Sequence, residues 1–213
     1  MNRSRFPMVT TAVIGTALLV HAWPALGALL IYDRQAILRG ELWRAVTGHW
    51  VHFSASHLTL DALVLGVAGA RVELTDRRQF VRLMVTGSML IGVGLLALQP
   101  ELGRYGGLSG LATAAVASIA LGALRQAGAS RRLGLAILAL MTLKFAAELA
   151  GGAFIFTSIT SPDIQPCPLS HALGAATAVL LWLWHCRPVV PVGTLSACAP
   201  MPVRASIAAK NGS

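Results

Sequence analysis

The chain has 213 residues, is 55% hydrophobic, has a mean hydropathy of +0.69 and is only 12% charged; a soluble domain carries about 25%. The net charge is +9, but no basic stripe with interleaved aromatics accompanies it, which argues against nucleic acid as a partner. Several apolar runs approach the ~20 residues that cross a bilayer, so the chain reads as an all-α polytopic membrane protein with the lipid bilayer as its surroundings.

The first apolar run covers 8–31, behind Arg3 and Arg5. A basic start before an apolar run has the form of a secretion signal, and Ala25-Leu26-Gly27 has the form of a cleavage site. The run continues through Ile31, too long for such a leader, so a retained first span kinked at Trp23-Pro24 is expected. Further runs at 55–74, 79–98, 109–124, 133–157 and 169–186 make six spans in a membrane domain over 1–186. Residues 187–213 are rich in Pro, Ala and Val without a period and read as a mostly unstructured tail. The three cysteines, Cys167, Cys186 and Cys198, fall in different compartments on this topology and define no disulfide framework.

The connections alternate in basic content. Twelve of the 17 Lys and Arg lie at one set of ends, with Arg71, Arg77, Arg78, Arg82, Arg125, Arg131 and Arg132 among them. Arg34, Arg39, Arg44 and Arg104 lie at the other, and Lys144 sits inside the fifth run. The positive-inside rule then places both termini in the cytoplasm.

The fourth run, 109–124, is short: at 1.5 Å per residue it reaches about 24 Å, against a ~30 Å hydrocarbon core. Arg125 pins its cytoplasmic end, so Ser109 is expected below the outer surface. The segment before it, 99–108, is polar and glycine-rich. Non-helical backbone at that depth survives only inside protein or against a wet cavity. Ser109 at the floor of such a pit is a candidate nucleophile; the competing reading makes it a helix N-cap. Of six histidines, only His171 lies inside a late run at comparable depth. His171, Gly174 and Ala178 share one helix face, as do Ser109, Ala112, Thr113 and Val116. Two small-residue faces permit close approach, which would bring the imidazole within reach of the hydroxyl.

These residues carry a family resemblance. "GGLSG" at 106–110 resembles the Gly-x-Ser-Gly of rhomboid intramembrane serine proteases, and "HALG" at 171–174 their last-helix His-x-x-Gly. The stretch 41–73, with Trp43-Arg44, His52, His57 and Glu73, resembles the rhomboid first loop and second helix. The resemblance covers about 30–186. It implies a six-helix rhomboid-like bundle and a Ser109–His171 dyad without a carboxylate. It further implies an oxyanion site from backbone N–H groups near Ser109, at Gly107 and Leu108, with His57 contributing and His52 and Asp61 in support. Arg44 and Glu73, with Trp43, would tie the loop between spans one and two to the core, and Gly110 and Gly174 would be close-packing positions. No cofactor or metal is implied, and the location would be a bacterial inner membrane.

Two departures give the resemblance a direction. Where the family has Asn four residues after the His57 position, this chain has Asp61, which as an ionised carboxylate cannot donate to an oxyanion. Such an Asp would be either protonated or an acceptor that holds His57. Where many relatives have a Tyr that stacks on the histidine, this chain has Thr113, so that ring support is expected to be missing. "GHWVHFSASHLTLD" resembles the rhombosortase subfamily, with its His-Leu-x-x-Asp. Lys144 and Glu148, i and i+4 inside the fifth run, agree with that subfamily; by themselves they read as a helix-internal ion pair supporting packing. The implied substrates are membrane-anchored secreted proteins with one C-terminal helix preceded by Gly-Gly. The rival readings are a general rhomboid protease, a non-catalytic rhomboid-like protein that binds clients, and a metal site on His49, His52, His57 and Asp61.

Overall fold

The computed structural model of the protein describes residues 6–150 and 167–185. The expected tail 187–213, Cys186, Cys198 and the last part of the fifth run lie outside the described residues.

Met8–Ala22 forms α1 and Pro24–Leu30 forms α2, but the two meet at 114°. The first run is therefore not one kinked span. Proline has no N–H for the helix ladder and excludes the preceding residue from the α region, so Trp23 adopts φ −124°, ψ 89° and the chain turns. Strand β1 (Tyr32–Asp33), α3 (Arg34–Leu38), α4 (Arg44–Thr47) and a 3-10 turn at Gly48–Trp50 follow. Helix α5 (Ala55–Thr75) and α6 (Arg77–Leu98) each start on a side-chain cap: Ser54 Oγ accepts from His57 N and Asp76 Oδ1 from Gln79 N. Strand β2 (Arg104–Tyr105) precedes α7 (Ser109–Leu124), α8 (Ala129–Leu149) and α9 (Pro168–His185).

Among the described residues, α6 is long and apolar enough by itself to cross a membrane. The pair α1–α2, and the pair made by Arg44–Trp50 with α5 (94° apart), meet that test only jointly. Helix α8 exposes Leu133, Leu135, Leu140, Leu143 and Leu149 and buries only Gly134. An apolar face of that extent belongs against lipid rather than water.

Helix α7 is the hub. Its buried positions, Gly110, Leu111, Ala112, Ala114, Ala115, Ala117, Ala120 and Leu121, lie all round its axis. A helix that is apolar on every side belongs in the middle, and its alanines let α5, α6, α8 and α9 approach. Helix α9 comes closest. A Cβ on Gly174 would overlap the Gly110 carbonyl oxygen, and one on Gly110 would stand 2.9 Å from the Ser170 carbonyl oxygen.

The two residues expected to anchor the first loop act at opposite ends. Arg44 is buried; Nη1 donates to the carbonyls of Ala28 (2.9 Å) and Ile31 (3.1 Å), and Nε to Glu41 (2.7 Å), which fastens the loop. Trp43 is exposed beside it, with Nε1 3.4 Å from the Leu29 carbonyl. Glu73 corrects the expectation. It accepts from Val9 N (3.0 Å), Thr10 N (2.8 Å), Thr10 Oγ1 (2.9 Å) and Arg77 Nε (3.1 Å), so it caps the N-terminus of α1 from α5 instead of holding the loop. Free N–H groups at a helix start need acceptors, and a carboxylate there also meets the positive end of the dipole.

Gly174→Val tests the packing. Its side chain has to displace the α7 backbone, and we expect a loss of about 3 kcal/mol or more, above the usual overpacking cost because backbone cannot rotate away. A thermal midpoint in detergent within 2 °C of wild type, on the order of 0.5 kcal/mol, would contradict the close crossing.

Candidate active site

The loop before Ser109 is fixed from four sides. Tyr32 pairs with Tyr105 and Asp33 with Arg104 in an antiparallel ladder, and the Tyr32 and Tyr105 rings meet edge to face at 6.2 Å. Tyr105 OH donates to the Gly107 carbonyl (3.3 Å). Gly106 sits where a Cβ would come within 2.6 Å of the Val51 carbonyl oxygen. Gly107 has φ +135°, and a Cβ there would stand 2.9 Å from His57 Cε1 and Nε2. Both the conformation and the space at Gly107 therefore demand glycine. Leu108 N donates to His52 Nε2 (3.3 Å). The whole loop, 105–108, is buried, as the expected membrane-depth backbone would have to be.

Ser109 is the first residue of α7, not its cap: the cap position is Leu108, and no side chain caps the helix. The N-cap reading of Ser109 is thereby set aside. Ala112 N is the first to bond within the helix, to the Leu108 carbonyl (2.8 Å), so the N–H groups of Ser109, Gly110 and Leu111 have no helical acceptor. Leu108 N is engaged by His52 and is not free to serve an oxyanion.

His171 lies next to Ser170, whose carbonyl approaches Gly110, the neighbour of Ser109. Among the described residues no hydrogen bond joins Ser109 Oγ to the His171 ring. Such bonds are often long in the empty enzyme and tighten with substrate. The ring has two supports that the sequence reading lacked. His171 Nδ1 is 3.0 Å from Glu148 Oε2, and Glu148 Oε1 is paired to Lys144 Nζ, so a carboxylate does reach the histidine. Phe145 stacks on the imidazole, with centroids 6.5 Å apart and planes 11° apart. Ring support is thus present, from α8 instead of from position 113. The signal for both was the same: Lys144, Phe145 and Glu148 recur at helical spacing, but which helix they face cannot be read from one helix alone.

The second cluster is His52, His57 and Asp61. Asp61 Oδ2 lies 3.1 Å from His52 Nε2 and 3.3 Å from His57 Nε2, with the two rings 5.1 Å apart. His52 Nδ1 faces the Trp50 carbonyl at 3.3 Å, and His57 Nδ1 is buried with no protein partner. One carboxylate oxygen thus lies between two imidazoles that flank the loop leading to Ser109. His49 does not join them; its Nε2 faces the Ser88 carbonyl at 3.2 Å and its ring packs on Tyr105 at 5.6 Å. Among the described residues no group of three His, Cys, Asp or Glu is arranged to hold a metal ion, so the metal reading loses its geometry. Cys167 is buried, with Sγ 3.4 Å from Gln99 Oε1.

The site lies at the end of the bundle opposite the arginine-rich connections. It draws on the first turns of α5, α7 and α9 and the last turns of α8, whereas Arg77 donates to the Phe6 carbonyl at 3.0 Å and Arg125 stacks on Trp182 at the far end. No curated protein matches the chain. A family model, the Rhomboid domain, matches residues 39–188 and so spans α4 to α9. With that match over most of its length, the chain belongs to the rhomboid family of intramembrane serine proteases and is an integral membrane protein.

Proposed function

We propose that this rhomboid is a serine endopeptidase in which Ser109 is the nucleophile and His171 the general base, working on the sorting tails of anchored secreted proteins. The observation that carries the reading is the backbone contact between α7 and α9, which joins the neighbours of Ser109 and His171. In the first step the Ser109 hydroxyl proton passes to His171 Nε2 while Oγ bonds to the scissile carbonyl carbon. The oxyanion forms beside the unspent N–H groups at the start of α7, where the helix dipole also favours negative charge. His57, packed against Gly107, is the side chain next to that position. Collapse breaks the C–N bond, and His171 returns its proton to the leaving amine. The acyl group on Ser109 then passes to water, or to a lipid amine, with His171 again taking the proton.

In this reading α1, α5, α6, α7, α8 and α9 are six spans of a bacterial inner-membrane protein, with both termini cytoplasmic. The substrate reading follows the likeness of His57–Asp61 and Lys144–Glu148 to the rhombosortase subfamily. Glycine costs about 1 kcal/mol in a helix, so a Gly-Gly pair at a helix end unwinds readily and exposes its carbonyl. A basic tail would hold the client's C-terminus in the cytoplasm and its Gly-Gly end at the outer mouth. Asp61 in this account is an acceptor that orients His57, not a substitute oxyanion donor.

Three outcomes check the reading. Ser109→Ala and His171→Ala each abolish processing of a co-expressed reporter while the protein stays folded in the membrane; processing by Ser109→Ala would refute the nucleophile. Asp61→Asn turns an acceptor for the His57 imidazole into a mixed donor and acceptor, and the rate falls tenfold or more, about 1.4 kcal/mol of barrier. An unchanged or faster rate would make Asp61 a mere replacement for Asn. Last, a reporter with a Gly-Gly tail is cleaved, while its Leu-Leu version and an unrelated C-terminal anchor stay whole. Equal cleavage of all three would leave a general rhomboid protease.

A further inference from the structure

Two charges inside a membrane helix are costly and need a reason. Lys144 and Glu148 satisfy one another by the i, i+4 geometry of α8, which would suffice for packing. Yet the pair is not closed on itself. Glu148 Oε1 takes Lys144, which leaves Oε2 to face His171 Nδ1 at 3.0 Å on a different helix, and Phe145 of the same turn covers the ring face.

We infer that Glu148 is a positioning residue for His171, so that the machinery is a Ser109–His171–Glu148 triad with Lys144 as the clamp on its carboxylate. This rests on the Ser109–His171 reading. What Glu148 fixes is the tautomer of His171. A base that is to take the Ser109 proton at Nε2 must carry its own proton on Nδ1, and Glu148 Oε2 is the acceptor that holds it there. The other neighbour of Nδ1 is Lys144 Nζ at 3.2 Å. An ammonium can only donate; a bond from it to Nδ1 would force the proton to Nε2 and silence the base. Lys144 is instead drawn to Oε1, so the two donors, Lys144 and His171, share the two oxygens of one carboxylate. As the imidazolium forms, Glu148 offsets its charge, and Lys144 keeps Glu148 in place between turnovers.

Two variants separate positioning from packing, with Ser109→Ala beside them. Glu148→Gln keeps the shape and an acceptor for Lys144, but its amide can donate and no longer selects the Nδ1–H tautomer. Lys144→Met with Glu148→Leu removes the pair without stranding a charge. In proteoliposomes with a peptide substrate, both lower kcat by about 100-fold with KM within about twofold, as expected when a triad carboxylate is lost. In ¹⁵N-histidine spectra the resonance that disappears in His171→Ala is the Nδ1–H form in wild type and shifts to the Nε2–H form or a mixture in Glu148→Gln. A folded variant of either kind with kcat within threefold of wild type overturns the inference, as does recovery of kcat in the double variant alone, which is the signature of packing. An unchanged His171 tautomer in Glu148→Gln overturns it even if the double variant fails to fold. Should Ser109→Ala remain active, the protease reading itself fails; should it be dead while the double variant is fully active, only the role of Glu148 fails.

Discussion

The contact between the Gly110 carbonyl and the α-carbon of Gly174 is the constraint on which the rest depends. No side chain separates α7 from α9 there. Ser109 precedes one glycine by one residue and His171 precedes the other by three, so the crossing brings both to the same end of the bundle. Without hydrophobic force between helices in lipid, small residues and backbone proximity are what hold such a crossing. The alanines that line the rest of α7 extend the same logic, because a helix in the middle of a bundle gains from neighbours that can come near on every side.

Around that crossing the protein spends its polar groups on orientation. Asp61 holds His57, His52 accepts from Leu108 N, and Gly107 lies against His57. On the other side Glu148, Lys144 and Phe145 hold His171. The two clusters come from different helices and converge on one loop. Among the described residues each buried charge has a partner, as the cost of an unpaired one in an apolar setting requires. Glu73 does similar work at the far end, where it closes α1 onto α5 and leaves the site end to be shaped by the loops.

What could be read from the sequence was whatever is local to one helix. The start of α7 at Ser109 and its end at Leu124 follow from an apolar run bounded by glycines and Arg125, and the small faces of α7 and α9 follow from a 3.6-residue period. Relations between distant segments were not legible. The Tyr32–Tyr105 ladder joins two strands of two residues each, too short to leave an alternating pattern. The 114° turn after α1 was visible only as Trp23-Pro24, a dipeptide compatible with a mild kink as well as a sharp one. Glu73 was assigned to the wrong end because motif spacing names a residue without naming its partner. For the same reason Glu148 looked self-sufficient with Lys144, and the missing ring at Thr113 gave no hint that Phe145 would supply one. The Leu108 amide was counted among free donors because its acceptor, His52, lies far away in the chain.

The central claim is that Ser109 is a nucleophile made reactive by His171. The most direct measurement is covalent labelling of the membrane-embedded protein with a fluorophosphonate, followed by mass-spectrometric location of the adduct. The account predicts one adduct, on Ser109, and its loss in His171→Ala although Ser109 is still present. An adduct on another residue, or labelling of Ser109 at an undiminished rate without His171, would contradict it.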